Sequence, residues 1–226
     1  MFTDDDVRVP PNWIEGVAGP ILAGEADAVC GGVRLAPHLE RSWMTKRHRG
    51  WLASTEKINE KKPQTMNGAN MSFSRSVLEK APAFDPELGP GALGFADDSL
   101  FSQQIIESGL RLAGRLECEV EHHFEADRLL RRSWLDSARK RGRTLAYVAY
   151  HWSHEPLQCT WTRYLKLVTR LRVHWLSTRL PPESEGCLEW ELLSVCEATL
   201  FRHYRSICHG PRHYERHGLK RIDRLP

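Results

Sequence analysis

The sequence has no run of about 18 apolar residues, so no membrane-spanning helix is expected from it. It has no C-x-x-C pair either: Cys30, Cys118, Cys159, Cys187, Cys196 and Cys208 stand far apart. Nor does it open on a basic-then-apolar leader, since it begins Met-Phe-Thr-Asp-Asp-Asp. Buried thiols in a reducing cytoplasm are therefore the expectation. Strong charge of one sign is lacking too. A net charge of +3 over 226 residues gives by itself no footprint for a nucleic-acid backbone, and no nucleic-acid partner is expected. Repeats and low-complexity segments are absent, which excludes a solenoid or a compositional linker. What is there is ordinary for a globular chain: 41% hydrophobic, 27% charged and 9% aromatic residues, enough to bury a core.

Three regions follow one another. From Met1 to about Val120, strand and helix signals mix. Phe2-Thr3 reads as the end of a strand. Pro10-Pro11 opens a helix with Trp13, Val17, Ile21 and Leu22 at helical spacing. Ala28 to Val33 is a buried strand whose glycines allow close backbone approach. His38 to Pro63 is loop with some helix. Met71 to Phe73 is a short strand, after which Ser74 caps a helix beginning near Arg75. Pro82 to Gly94 is loop. Asp98 to Ser108 is a helix that Gly109 stops, and Arg115 to Phe124 is the last strand. One long helix is predicted over Asp127 to His151, and two more over Thr160–Arg179 and Glu185–His209, separated by Pro181-Pro182. A basic tail follows. The predicted domains are residues 1–126, mixed α/β, and 127–226, a helical extension.

Three clusters carry chemistry. Asp4, Asp5 and Asp6 repel one another unless a cation or hydrogen-bond donors lie among their oxygens, and hard oxygen ligands suit Mg²⁺ or Mn²⁺; a solvated acidic terminus is the other reading. Asp97 and Asp98 precede an apolar helix. They serve either as first-turn carboxylates favoured by the helix dipole or as a general base beside a hydroxyl. In Asn67-Gly68-Ala69-Asn70-Met71-Ser72-Phe73, small residues enter a strand, and Gly68 lets the backbone approach a ligand.

As an ordered set these segments resemble family 2 glycosyltransferases of the GT-A fold. Phe2-Thr3-Asp4-Asp5-Asp6-Val7, then Pro-Pro-Asn-Trp, is similar to the D-x-D segment. Gly68-Ala69-Asn70-Met71-Ser72-Phe73-Ser74-Arg75 is similar to G-x-N-x-x-x-R on the acceptor side. Phe84-Asp85-Pro86-Glu87-Leu88-Gly89 with Asp97-Asp98 resembles the F-D-E-x-L-G and E-D segment, with Asp97 where the family has Glu. Glu121-His122-His123-Phe124 with Arg128-Leu129 resembles its closing H-x-x-x-x-x-R-L. The likeness covers residues 2 to 150, and no Q-x-x-R-W segment of a processive synthase accompanies it.

The resemblance implies a partial GT-A sheet with a helical C-terminal extension, the nucleobase-binding strands lying upstream of Met1. It implies a one-step inverting transfer from a nucleotide-diphosphate sugar to a hydroxyl acceptor, saccharide or lipid-linked. Asp6 would hold the metal, Asp4 the ribose or the metal's water shell, and Asp98 would be the base. Asp5, Gly68, Ala69, Asn70, Arg75 and Asp97 would contact donor or acceptor. His122 would approach the metal or diphosphate, or be a satisfied structural histidine. Two other outcomes stay open: a remnant that keeps the motifs without activity, and a basic helical interaction module.

Two further patterns are present. His209, His213 and His217 are spaced by four, as on one helix face, but Gly210-Pro211 interrupts that helix and no further ligand sits at zinc spacing. Residues 161–175 are amphipathic and basic. They form either a helix packed on the fold or a contact with an anionic membrane surface at its inner face.

Overall fold

The computed structural model describes residues 1–81 and 84–218. Pro82 and Ala83 of the expected loop, and most of the basic tail, lie outside the described residues. The chain forms two compact units: Met1–Asp85 with Asp97–Glu125, and Pro86–Ala96 with Ala126 onward.

The first unit is mixed α/β around a four-stranded sheet ordered β1-β4-β2-β3, which agrees with the partial GT-A sheet implied by the sequence. The strands are β1 (Val7–Arg8), β2 (Ala28–Leu35), β3 (Met71–Phe73) and β4 (Leu112–His122); the helices are α1 (Trp13–Leu22), α2 (Lys46–Trp51), α3 (Val77–Lys80) and α4 (Asp97–Glu107). β2 runs parallel to β4, and β1 and β3 are antiparallel to their neighbours.

Every residue of β2 but Arg34 is buried, as a central strand covered on both faces requires. Side chains alternate across a strand, so Val29 packs with Val17 of α1 and Cys118. Ala28 and Cys30 turn the other way, toward Phe101 and Ile105 of α4. Helices thus cover both faces of one sheet. The register of β2 on β4 jumps between Gly31 and Gly32, from Arg115 to Glu119. At Gly32 an added Cβ would lie 2.1 Å from the Leu116 carbonyl oxygen, so only glycine fits there.

Three local expectations are corrected. Phe2 makes a single bridge with Met71, whereas the strand proper is Val7–Arg8 on β4. The chain therefore crosses from the β3 side to the β4 side through a turn at Asp5-Asp6. The N-cap of α3 is Ser76, not Ser74, because the helix begins at Val77 rather than near Arg75; the two serine hydroxyls bond each other at 2.8 Å. The last strand begins at Leu112, earlier than Arg115, because β4 pairs with the start of β2.

In the second unit a 3-10 turn (Ala126–Leu129) precedes α5 (Arg131–Tyr147), which runs on as a π-helix (Val148–Trp152) where one continuous α-helix is expected. Then come α6 (Trp161–Thr178), capped by the Thr160 side chain, and α7 (Glu189–Ile207). At Gly142 of α5 an added Cβ would meet the Cys196 carbonyl oxygen of α7 at 2.4 Å, so the glycine sets how close these helices lie. Glu191 of α7 is fully buried and is gripped by both guanidinium arms of Arg131, by the Trp175 indole and by the Cys187 thiol. Burial works to raise its carboxyl, but those hydrogen bonds outweigh it and hold it below the ordinary range. Because α7 ends at Ile207, His209, His213 and His217 share no helix face. His213 instead stacks on His151 with ring centroids 3.9 Å apart.

Among the described residues no disulfide joins the cysteines, and no helix is long and apolar enough to cross a membrane.

Candidate functional site

The acidic turn is delivered to the C-terminal end of β4. Val7 pairs with His122, and the His123 amide donates to the Asp6 carbonyl at 2.7 Å. In open α/β sheets, ligands gather at the carboxyl ends of strands. Asp4, Asp6 and His122 come together there, each offering one ligand atom, all within 4.8 Å of one another. Asp4 is exposed, Asp6 half-buried and His122 buried.

The detailed polarity of this cluster fits a cation. His122 Nδ1 lies 2.9 Å from the Leu52 carbonyl oxygen. That oxygen can only accept, so Nδ1 carries the proton, and in the neutral ring Nε2 presents a lone pair. Nε2 faces Asp6 Oδ2 at 3.3 Å, so two acceptors face each other, and a proton or a metal ion resolves the conflict. The second Asp6 oxygen, Oδ1, is buried and accepts no hydrogen bond, which is costly for a carboxylate unless a cation compensates it. A ring nitrogen tied to a backbone carbonyl while its partner nitrogen points at carboxylates is also how metal-ligating histidines are oriented.

A second group surrounds Asp98. Its Oδ2 accepts from the Gly68 amide at 3.1 Å, and its Oδ1 from the Ser99 amide at 2.6 Å and the Ser99 hydroxyl at 3.1 Å. Burial pushes this carboxyl above the ordinary aspartate range, and the neighbouring Asp97 charge pushes the same way. The Gly68 and Ser99 donors oppose the rise. Asp98 is thus a carboxylate made more basic, yet still held by donors to its charged form.

The two groups are tied through one short turn that nothing in the sequence pattern singles out. Leu52 gives its carbonyl to His122. The next residue, Ala53, gives its own to the Asn67 side chain at 2.7 Å, and Asn67 adjoins the Gly68 that holds Asp98. Ala53 sits at φ 78°, where a non-glycine residue is strained, and such strain gathers at functional turns. An alanine carbonyl gives no sequence signal. Asn67-Gly68 does carry one, as a turn dipeptide.

The remaining expected site residues are placed otherwise. Asn70 is fully buried. Its amide donates to the Gly32 and Cys118 carbonyls and accepts from the Trp13 indole at 2.9 Å, so its side chain stitches α1, β2 and β4. Ala69 is buried too, its amide held by the Asn67 side chain at 3.0 Å. Neither side chain faces a ligand. Their part is to shape the loop that carries Gly68, because Asn70 is fully buried and both of its N–H donors are spent on internal carbonyls. Asp5 is exposed and stands outside the three-residue cluster. Arg75 is exposed in the turn before α3, and Asp97 lies beside Asp98 in the first turn of α4.

No curated protein matches the chain. The family model described as "Glycosyl transferase family 2" matches residues 1–81, which hold the acidic turn and the Gly68 segment, and the match supports a family 2 glycosyltransferase domain over that part of the chain.

Proposed function

We propose that the protein transfers a sugar from a nucleotide-diphosphate donor to a hydroxyl acceptor with inversion, assisted by Mg²⁺ or Mn²⁺. The observation that carries this reading is the Asp4–Asp6–His122 cluster, with one orphaned carboxylate oxygen and two mutually facing acceptors, tied through Leu52-Ala53 to the Asp98 group. Asp6 and His122 would hold the cation, with Asp4 completing the set or its water shell. When bound, the ion supplies positive charge that offsets the diphosphate leaving group.

Asp98 is the proposed base. It takes the proton of the acceptor hydroxyl while that oxygen forms a bond to the anomeric carbon. The bond from that carbon to the diphosphate oxygen breaks on the opposite face, its electron pair leaving with the nucleotide. A base works best when its pKa is drawn toward the working pH, which supports Asp98 over an ordinary surface carboxylate. Gly68 offers a small surface against which the acceptor can lie, and Asp5, Asp97 and Arg75 remain proposed contacts with donor or acceptor. A lipid-linked acceptor, with the chain resting on a membrane's cytoplasmic face, belongs to the same proposal.

Titration of UDP and GDP with Mn²⁺, followed by heat, tests the reading on the intact chain, Asp6→Ala and Asp98→Ala. Metal-dependent nucleotide binding that Asp6→Ala abolishes and Asp98→Ala spares is the expected result. A folded chain that binds no nucleotide would overturn autonomous transfer and leave a remnant that keeps the motifs.

A further inference from the structure

Helix α6 has two apolar stripes, and the fold uses one. Leu171 is its sole buried residue. Toward α7, Tyr164 stacks on Phe201 at 4.7 Å between ring centroids, and Trp175 reaches Glu191. Trp161 joins that contact, its ring edge-on to Phe201 at 4.9 Å. At 3.6 residues per turn, Leu165, Val173 and Leu176 fall on another face, spread over about a quarter of the circumference. They are exposed by 57%, 61% and 75%, with Leu180 just beyond the helix at 46%. Surface leucines scattered singly mean little, but a contiguous exposed stripe marks an interaction.

The charge beside this stripe selects the occupant. α6 contains no Asp or Glu. Arg163 is engaged with Glu197, and Arg170 lies over the Trp190 ring. Lys166, Arg172 and Arg179 are exposed along the stripe. We infer that this face of α6 lies in the interface of an anionic lipid bilayer, with Leu165, Val173 and Leu176 in the acyl boundary and Lys166, Arg172 and Arg179 reaching the phosphates. Long basic side chains bend toward headgroups while their stems cover apolar surface. A second copy of the chain fits worse, because a two-fold contact would set these cations against their own counterparts. A nucleic acid fits worse as well, having no partner for the aliphatic stripe. The inference deepens the membrane-side placement proposed above but needs neither metal nor donor, so its failure leaves the transferase reading standing.

The test is flotation of the full chain with vesicles of phosphatidylcholine alone or with a third phosphatidylglycerol, together with Lys166→Gln/Arg172→Gln and Leu165→Gln/Leu176→Gln, each checked for native helix content by circular dichroism. Binding to the anionic vesicles only is expected, weakened about twentyfold or more by loss of the two charges, at roughly fivefold per cation, and lost in the leucine pair. Equal binding by all variants, no binding to anionic vesicles, or a solution dimer dispersed by the leucine pair would each overturn the inference.

Discussion

His122 and Leu52 are joined by a 2.9 Å hydrogen bond across 70 positions of sequence. This bond decides which nitrogen of the buried ring faces the acidic turn. Because the carbonyl can only accept, Nδ1 carries a proton and Nε2 is the nitrogen turned toward Asp6, which is the orientation that the proposed ligand role requires.

The cluster separates the members of the acidic triplet. Asp6→Ala and His122→Ala are each expected to weaken Mn²⁺ binding at least tenfold, measured by the ion's paramagnetic resonance signal on the intact chain. Asp5→Ala should leave it unchanged, since Asp5 is outside the set. Equal losses at all three positions would mean that the triplet acts only as diffuse negative charge.

The raised carboxyl of Asp98 has a thermodynamic consequence. Its folded-state pKa lies above the ordinary value of 3.8, so its ionisation disfavours the fold. That cost is absent where both states are protonated, grows as pH rises from about 4 through the folded value, and then stays constant. Asp98→Asn removes it. Urea unfolding should show the variant gaining on the native chain as pH is raised across that window. Transfer by Asp98→Asn should fall by at least a hundredfold at neutral pH. A stability difference that does not change with pH would argue against the buried, charge-strained carboxyl.

Asn67 is expected to work on Asp98 through Gly68. Asn67→Ala removes the bond to the Ala53 carbonyl and the one that holds the Ala69 amide, at a cost of about 1–2 kcal/mol. With the loop loosened, kcat should fall while Mn²⁺ affinity holds, because the Leu52–His122 bond does not depend on Asn67. A variant that loses metal binding instead would mean that the two groups form one inseparable unit.

The Arg131–Glu191 pair is a buried ion pair that fastens α5 to α7. Removing one partner leaves an unpaired buried charge, so Arg131→Met alone should cost about 3–5 kcal/mol by urea unfolding. The double variant Arg131→Met/Glu191→Leu should recover much of that loss. The pair also sets an acid limit. Glu191 is held below its ordinary 4.5, so its contribution is present above that pH and is lost as pH falls through the folded value. The double variant should therefore lose less stability on acidification than the native chain.

Local pattern determined much of this protein. The helical spacing of Trp13, Val17 and Ile21, the apolar Ala28–Leu35 run, the glycine after α4 and the order of the acidic and Gly68 segments depend on neighbours within a turn or a strand, and they are legible without a fold. The third member of the Asp4–Asp6–His122 cluster, the Leu52-Ala53 turn and the inward aim of Asn70 depend on partners 70, 14 and 57 positions away, on which local spacing has no hold. The same division runs through α6. Its amphipathic and basic character is written in the residues, but which of two apolar stripes the fold keeps for itself was decided only when α7 covered one and left the other to solvent.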